Sequence, residues 1–394
     1  MTDIKGNAAP RINEVSPAET AGRDTIARFQ AQFRAAAYAC LEILNGKSVD
    51  RVYCDFQDDF VRRESKGGQR IYHFYQVKTK AKQNHQWGKP EVFGLPKRNK
   101  PKAEQIAASF AGKLIMHTIR FNNSCGNVVF LTNVQLDNEL DEVSAALEKG
   151  DLNHEVLKTF MEHFNEAFVE GEPLDAEAIK EKVARLSLVP GVPYLHPHSD
   201  GFEALARAAI FKYSEIDLQH VESAEIINNL VALVQKKSFA KVIADLTEEE
   251  LDDVVGIGIA ELLDILSISK GAYHHLLAGG DVTALKSASI IQRKLSKAGA
   301  NIELIEYCSK WKVAWDIWLR EKRHSIPEYD INALLDELNS IQNRWSGGHV
   351  KFADLRKEID SLWSTIQNKE IAATLSQDLL VGGVLSALVR SEAQ

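Results

Sequence analysis

The sequence predicts an α/β N-terminal domain followed by an all-α C-terminal domain. Between residues 49 and 79, short runs rich in Val, Tyr and Phe are separated by turn residues, the pattern of neighbouring strands. Beyond residue 137 the apolar residues recur at helical spacing. Charge divides along the same line: residues 1–135 hold 21 Lys and Arg against 12 Asp and Glu, a net of +9. The remainder holds 26 against 43, a net of −17, in a chain of formal charge −8. Basic charge gathered in one region of an acidic protein points to a polyanion-binding surface.

The first element is a long amphipathic helix. Ser16-Pro17-Ala18-Glu19 has the form of a capping box with proline at the first helical position. Ile26, Phe29, Phe33, Ala37, Cys40, Leu41 and Leu44 follow as one apolar stripe, and Asn45-Gly46 ends the helix. Then come three strands, VDRVYCDF, DFVRR and, after Lys66-Gly67-Gly68, RIYHFYQVKT. A helix over about 102–116 and a strand over 127–133 complete the α/β pattern. Helices are predicted over 138–149, 153–168 and 175–186. The Pro, Gly and His-rich passage VPGVPYLHPHSDG marks a boundary. The domains are therefore drawn as 1–188 (α/β with a helical extension), 189–201 (linker) and 202–394 (helical, for oligomerisation or partner docking). Some eight helices are expected in the last, one opened by the capping box Thr247-x-x-Glu250. Two stripes lie there, Ile331, Leu334, Leu335, Leu338, Ile341 and Trp345, then Leu355, Ile359, Leu362, Trp363 and Ile366.

At 394 residues the chain is long enough for two or three cored domains of roughly 100–200 residues each. Cys40, Cys54, Cys125 and Cys308 are too few and too scattered for a disulfide framework or a four-ligand zinc site. No run approaches the roughly 20 apolar residues of a membrane helix, and MTDIKGNAAPRINEV lacks the apolar core of a signal peptide. A cytoplasmic, disulfide-free protein with no membrane association is expected.

Residues 54–82, CDFQDDFVRRESKGGQRIYHFYQVKTKAK, can carry chemistry. In an extended strand Gln76 and Lys78 project to the same side, about 7 Å apart. Asp58 and Asp59 open the preceding strand, with Asp55 just upstream. Carboxylates on one strand and an acceptor-x-lysine on its neighbour suit metal-assisted phosphodiester cleavage. Hard oxygen ligands hold Mg²⁺ and the lysine stabilises charge on the phosphate.

This segment resembles the PD-(D/E)xK nuclease superfamily, and more closely the dsDNA-endonuclease domain of bacterial antiphage effectors. That domain occurs fused to nucleotide-sensing domains in cyclic-oligonucleotide (CBASS) systems and in proteins partnered with HerA-like ATPases. The resemblance rests on SPAETAGRDTIARFQAQFRAAAYACLEIL, VYCDFQDDFVRR and FYQVKTKAKQNHQW, within about residues 16–135. It implies a restriction-endonuclease-like mixed sheet flanked by helices. It also implies Asp59 as the metal-binding aspartate with Asp58 as its neighbouring competitor, Gln76 at the second acidic position, and Lys78 as the catalytic lysine. Asp55 falls where relatives carry an extra acid, and Glu19 or Gln32 of the first helix are further contributors. The departure is Gln76 in place of Asp or Glu, which removes one ligand charge and leaves one- versus two-ion chemistry open. The implied cofactor is Mg²⁺ or Mn²⁺.

Residues 78–102 hold eight Lys and Arg against one acid, Glu91, with Trp87 and Phe93 interspersed. Lys80, Lys82, Lys97, Arg98, Lys100 and Lys102 are candidate phosphate contacts, which position a duplex without specifying bases. Other motifs carry less. Gly46-Lys47-Ser48 lacks the upstream glycine of a phosphate loop and lies in the reverse structural order. Gly256-Ile257-Gly258 lacks a third glycine and reads as a helix-packing break. His196-x-His198 and His274-His275 have no matching ligand pattern. Trp311, Trp315 and Trp318 share a helix face and read as core, with an oligomer interface as the alternative.

The expected protein is a metal-dependent dsDNA endonuclease of antiphage defence with little sequence preference. The helical C-terminal half favours a homo-oligomer regulated by a HerA-like hexameric ATPase. The alternatives are a catalytically weak or inactive DNA-binding or scaffold subunit, and a cyclic-oligonucleotide-regulated CBASS effector.

Overall fold

A computed structural model describes residues 15, 21–82, 84–196, 201–214, 220–242, 246–323, 325–346 and 351–392. Helix α1 (Ala21–Leu41) runs into a 3₁₀ turn, Glu42–Asn45. Gly46 then closes it in the left-handed region at φ 65°, with its N–H on the Ile43 carbonyl at 3.0 Å. Strands β1 (Val49–Phe56), β2 (Asp58–Lys66) and β3 (Gln69–Lys78) follow. The β2–β3 turn is Gly67-Gly68, with φ of 58° and 82°, the two positive angles of a type I′ hairpin. Next come β4 (Gln86–Trp87), α2 (Lys89–Val92), α3 (Ala103–Ala108), α4 (Phe110–Arg120), β5 (Cys125–Thr132) and β6 (Gln135–Leu136). They are followed by α5 (Asn138–Glu148), α6 (Glu155–Glu162), α7 (Phe164–Phe168), α8 (Ala176–Val183) and β7 (Leu186–Val189).

The C-terminal region continues with α9 (Gly201–Ser214), α10 (His220–Ser238), α11 (Glu248–Val255), β8 (Gly256–Ile257), α12 (Ile259–Ile265) and α13 (Lys270–Ala278). It ends with α14 (Ala284–Lys297), α15 (Ile302–Lys322), α16 (Glu328–Ser346), α17 (Phe352–Ile366) and α18 (Gln377–Glu392). The six-stranded sheet has the order β7-β5-β3-β2-β1-β8. It is mixed: β1 is antiparallel to β2 and β8, whereas β5 and β7 are parallel. β4 and β6 form a separate parallel pair.

The residues fall into two compact units that interleave along the chain. One comprises 1–35, 75–120 and 128–199; the other comprises 36–74, 121–127 and 200–394. The first is cored by aromatics: Trp87 meets Phe110 and Phe130 edge-on at 5.4 and 5.9 Å, and Phe93 meets Phe160 at 5.4 Å. The second is organised around α18, buried from Leu379 to Val389. Trp315 and Trp318 of α15 stack at 5.0 Å in its core. A Cβ on Gly382 would come within 2.1 Å of the Trp311 carbonyl oxygen, so glycine is what lets α15 and α18 cross this closely.

β1 has the predicted bounds, and the Thr247 capping box forms, with Glu250 N–H on Thr247 Oγ1 at 3.2 Å and Thr247 N–H on Glu250 Oε2 at 2.8 Å. Other expectations need correction. The Ser16–Glu19 capping box lies outside the described residues. Ile26 and Phe29 of the α1 stripe are exposed, so the buried stripe begins further along the helix, as at Phe33. The helix predicted over 102–116 breaks at Ser109, whose extended backbone (ψ 167°) ends α3 while its Oγ accepts the Gly112 N–H of α4 at 3.0 Å. The helix predicted over 153–168 divides at His163, and residues 186–189 form a strand paired with β5. The expected linker is ordered at least to His196: Val192 N–H bonds Thr132 O at 2.9 Å and Leu195 is fully buried. The C-terminal region is not wholly helical, because Gly256–Ile257 is an edge strand on β1. There glycine is required by the Asp252 carbonyl, 2.5 Å from where a Cβ would stand, instead of by helix packing.

Candidate functional site

The first cluster sits where β1 turns into β2. Phe56 pairs with Asp58 and Cys54 with Phe60, leaving Gln57 alone at the tip. Asp55 and Asp59 flank this turn on the two strands, Asp59 on one face of β2. Asp58 falls on the opposite face by strand alternation, and its Oδ1 accepts the Asp59 N–H at 2.9 Å. Asp55 (φ 50°) and Gln57 (φ 66°) both occupy the left-handed region, which costs of order 1–3 kcal/mol for a non-glycine residue. Burial alone raises the Asp55 carboxyl above its usual value. Strain and an unfavourably placed acid meet at one corner.

Along the same face lies a different arrangement. Arg63, 5% exposed, donates to Asp50 at 2.7 Å, Glu248 at 3.0 Å, Asp252 at 3.2 Å and the Tyr53 hydroxyl at 2.6 Å. The Tyr53 hydroxyl in turn donates to Asp252 at 2.6 Å, and Arg70 pairs with Glu248. Burial opposes the Arg63 charge, yet these oxygens raise its pKa. The capping box of α11 places Glu248 and Asp252 for this role.

The second cluster belongs to the other unit. A cleft of about 640 Å³ is lined by Lys78, Lys80, His85, Trp87 and Asn133, among others. Its α1 wall contributes Asp24, Arg28 and Gln32. Those three, at i, i+4 and i+8, share one helix face. Lys78 ends β3, half-buried, with Nζ 5.9 Å from the Phe110 ring centre and 3.2 Å from the Val77 carbonyl. Gln76 is 7% exposed, and its Oε1 is buried with no hydrogen-bond partner among the described residues. An amide oxygen buried without a donor is what a hard cation satisfies, so Gln76 fits a divalent ion as a neutral ligand. Among the described residues no group of three or more His, Cys, Asp or Glu could hold a metal.

Of the sequence candidates, Gln32, Lys78 and Lys80 line one cleft, Asp55 and Asp59 flank the β1–β2 turn, and Glu19 lies outside the described residues. Lys82, Lys97, Arg98, Lys100 and Lys102 are exposed. Lys80 is already engaged: its Nζ pairs with Glu91 at 2.8 Å and lies 3.9 Å over the Trp87 ring. Sequence reasoning misses Asp24, Arg28, His85 and Asn133; the helical spacing of Asp24, Arg28 and Gln32 is the signal that could have found the first two. His196 lies 3.3 Å from the Asn133 amide, and His198 lies outside the described residues.

A family model described as Cap4, dsDNA endonuclease domain, matches residues 20–238. No curated protein matches. Among solved structures, the Acinetobacter baumannii Cap4 SAVED/CARF-domain containing receptor overlaps at 8% identity and a TM-score of 0.36, covering 76% of this chain and 68% of that one. The same receptor with the cyclic trinucleotide 3'3'3'-cAAA overlaps at the same identity and TM-score, covering 69% of that chain. Overlap this slight carries no argument; the family model spans more than half of the chain, and the protein belongs to the Cap4 dsDNA endonuclease domain family.

Proposed function

We propose that the chain is a Mg²⁺- or Mn²⁺-dependent dsDNA endonuclease of bacterial antiphage defence, a PD-(D/E)xK enzyme with little sequence preference, acting in the cytoplasm. The observation that carries this is the buried Gln76 Oε1, without a hydrogen-bond partner among the described residues, two residues before the Lys78 that lines the cleft. Asp59, with Asp55 or Asp58, and Gln76 would hold the ion. Asp58 and Asp59 open β2, which neighbours β3 in the sheet order. A bound divalent ion supplies charge neutralisation at the scissile phosphate and a more acidic water. The Lys78 ammonium stabilises the negative charge that grows on the phosphate as the bond breaks. Lys82, Lys97, Arg98, Lys100 and Lys102 grip the backbone without reading bases.

Control is the task we assign to the helical region, in a homo-oligomer docked to a HerA-like hexameric ATPase. A sequence-indifferent nuclease must be restrained in its own host. Full-length protein is incubated with supercoiled plasmid and Mg²⁺ or Mn²⁺, alone, with the ATPase and with cyclic oligonucleotides. Expected is nicking or linearisation with the ATPase, none in EDTA, and none with Lys78→Ala. Activation by a cyclic oligonucleotide instead would replace the ATPase as regulator. An intact plasmid in every arm, with DNA still retained on a filter, would leave a non-catalytic DNA-binding subunit. A strict monomer by solution mass, with and without the ATPase, removes the assembly.

A further inference from the structure

The residues just beyond β3 are held by a device that the nuclease reading does not require. Lys80 lies two residues past the strand end, yet its backbone is doubly bonded. Its N–H donates to Asn133 Oδ1 at 3.0 Å, and its carbonyl accepts from Asn133 Nδ2 at 2.9 Å. Asn133, 3% exposed, directly follows β5. Its side-chain amide thus makes with Lys80 the donor–acceptor pair that a neighbouring strand would make, and so prolongs the pairing of β3 past Lys78. A second tie runs parallel to it. Thr132, the residue before Asn133, accepts the Trp87 indole N–H at 2.7 Å. The Trp87 ring carries the Lys80 ammonium at 3.9 Å, and that ammonium pairs with Glu91 at 2.8 Å. Glu91 is fixed by the Gly88 N–H at 3.0 Å. Two consecutive residues at the end of β5 therefore grip one residue after β3 through its backbone and its side chain. Lys78, Lys80, Trp87 and Asn133 all line the same cleft.

We propose that Asn133 is a positioning residue for Lys78: its amide clamps the Lys80 backbone on both sides of its Cα, so that the last residue of β3 does not fray and the Lys78 ammonium keeps one place in the cleft. Strand ends open readily where backbone pairing stops, and a displacement of about 1 Å at a reacting group costs up to about a hundredfold in rate. A side-chain amide carries both a donor and an acceptor, and here they meet the N–H and the C=O of one residue. Lys80 becomes a structural pin, not a phosphate contact.

The inference rests on Lys78 serving the nuclease reaction, so the test includes a readout independent of cleavage. In full-length Asn133→Ala, with folding checked by circular dichroism, kcat on plasmid is expected to fall about ten- to a hundredfold, with Kd for DNA in Ca²⁺ changed less than about threefold. Asn133→Asp, which keeps the acceptor for the Lys80 N–H, recovers part of the loss. Amide exchange at Lys80 accelerates, and acetylation of Lys78 by limiting reagent rises several-fold relative to Lys180 in the same digest. Unchanged Lys80 exchange and Lys78 acetylation in folded Asn133→Ala overturn the clamp, whatever the activity. Normal kcat in Asn133→Ala beside an inactive Lys78→Ala overturns the positioning role while leaving the nuclease reading intact. If Lys78→Ala cleaves normally, the nuclease role of Lys78 fails, and the labelling result alone decides the clamp. A variant that does not fold is replaced by Asn133→Ser, judged by the same two labels.

Discussion

Two places on one face of the β1–β2 ribbon, about 13 Å apart along the strand, treat charge in opposite ways. At Arg63 every charge is matched: one buried guanidinium meets three carboxylates and a phenol, and every partner sits on a strand or a capped helix. At the β1–β2 turn, Asp55 and Gln57 are held in the left-handed region, Asp59 follows on the next strand, and burial raises the Asp55 carboxyl. The first arrangement stabilises the fold and has no capacity left for a ligand. The second is less favourable, because backbone strain and burial both act on Asp55, and under the proposed function a bound cation would offset that cost. The contrast is physical: a charge network closed on itself stabilises the fold, whereas a buried acid on a strained backbone costs it.

Substitution tests this most strongly. Asp59→Asn and Lys78→Ala are each expected to lower plasmid cleavage about 10²–10³-fold. Asp59→Asn should change stability by less than about 1 kcal/mol in urea unfolding, as expected of a residue that serves the reaction and not the fold. A large loss of stability in Asp59→Asn would show that the corner is structural after all. Arg63→Ala should behave the other way. It removes the shared partner of Asp50, Asp252 and Glu248 and leaves a void, although Arg51 still pairs with Asp252 and Arg70 with Glu248, and a loss of about 3 kcal/mol is expected in urea unfolding. That is the low end for a broken buried pair, because Asp50 and Glu248 stay partly solvated.

The outer loop extends the contrast to solvated charge. Lys82, Lys97, Arg98 and Lys100 are exposed, so replacing all four by Ala should change stability by less than about 1 kcal/mol. The slope of log Kd against log salt should flatten by about 0.9 for each phosphate that the variant no longer neutralises. Lys80→Ala should do the reverse, costing stability through Glu91 and Trp87 with little change in slope.

Legibility from sequence follows the range of the interactions. β1 can be placed from composition, and the β2–β3 turn from Gly67-Gly68, because strand propensity and hairpin glycines are local. Alternation alone puts Gln76 and Lys78 on one strand face. What escapes depends on partners far along the chain. β8 is two residues long and exists because β1 offers it an edge. Ser109 divides a helix that periodicity joins, because its hydroxyl serves as a cap that spacing cannot register. The role of Asn133 requires Lys80, 53 residues away, and no pattern within FLTNVQL announces it. Asp24 and Arg28 stand at helical spacing from Gln32 and are readable, but on the face opposite the apolar stripe that dominates the pattern of α1.

The smallest expected effect concerns Glu91, which combines both behaviours in one side chain. Burial opposes its charge, but the Lys80 ammonium and the Gly88 N–H outweigh that and hold its carboxyl below its ordinary value of 4.5. A carboxyl lowered in the folded state contributes stability at every pH above its unfolded pKa, and that contribution disappears as pH falls through the lowered folded value. The segment from Lys80 to Glu91 should therefore stay closed at neutral pH and begin to open only below about pH 4.5. The Gly88 amide reports this directly, because its N–H is bonded by the Glu91 carboxylate. Its protection against exchange should drop in that acid window. In Glu91→Gln the window should vanish, with protection equal on both sides of it, since the neutral amide keeps an acceptor but no longer titrates. If Gly88 loses protection at the same pH in both proteins, the opening is driven elsewhere, and the Lys80–Glu91 pair is a solvated contact without a hold on the cleft.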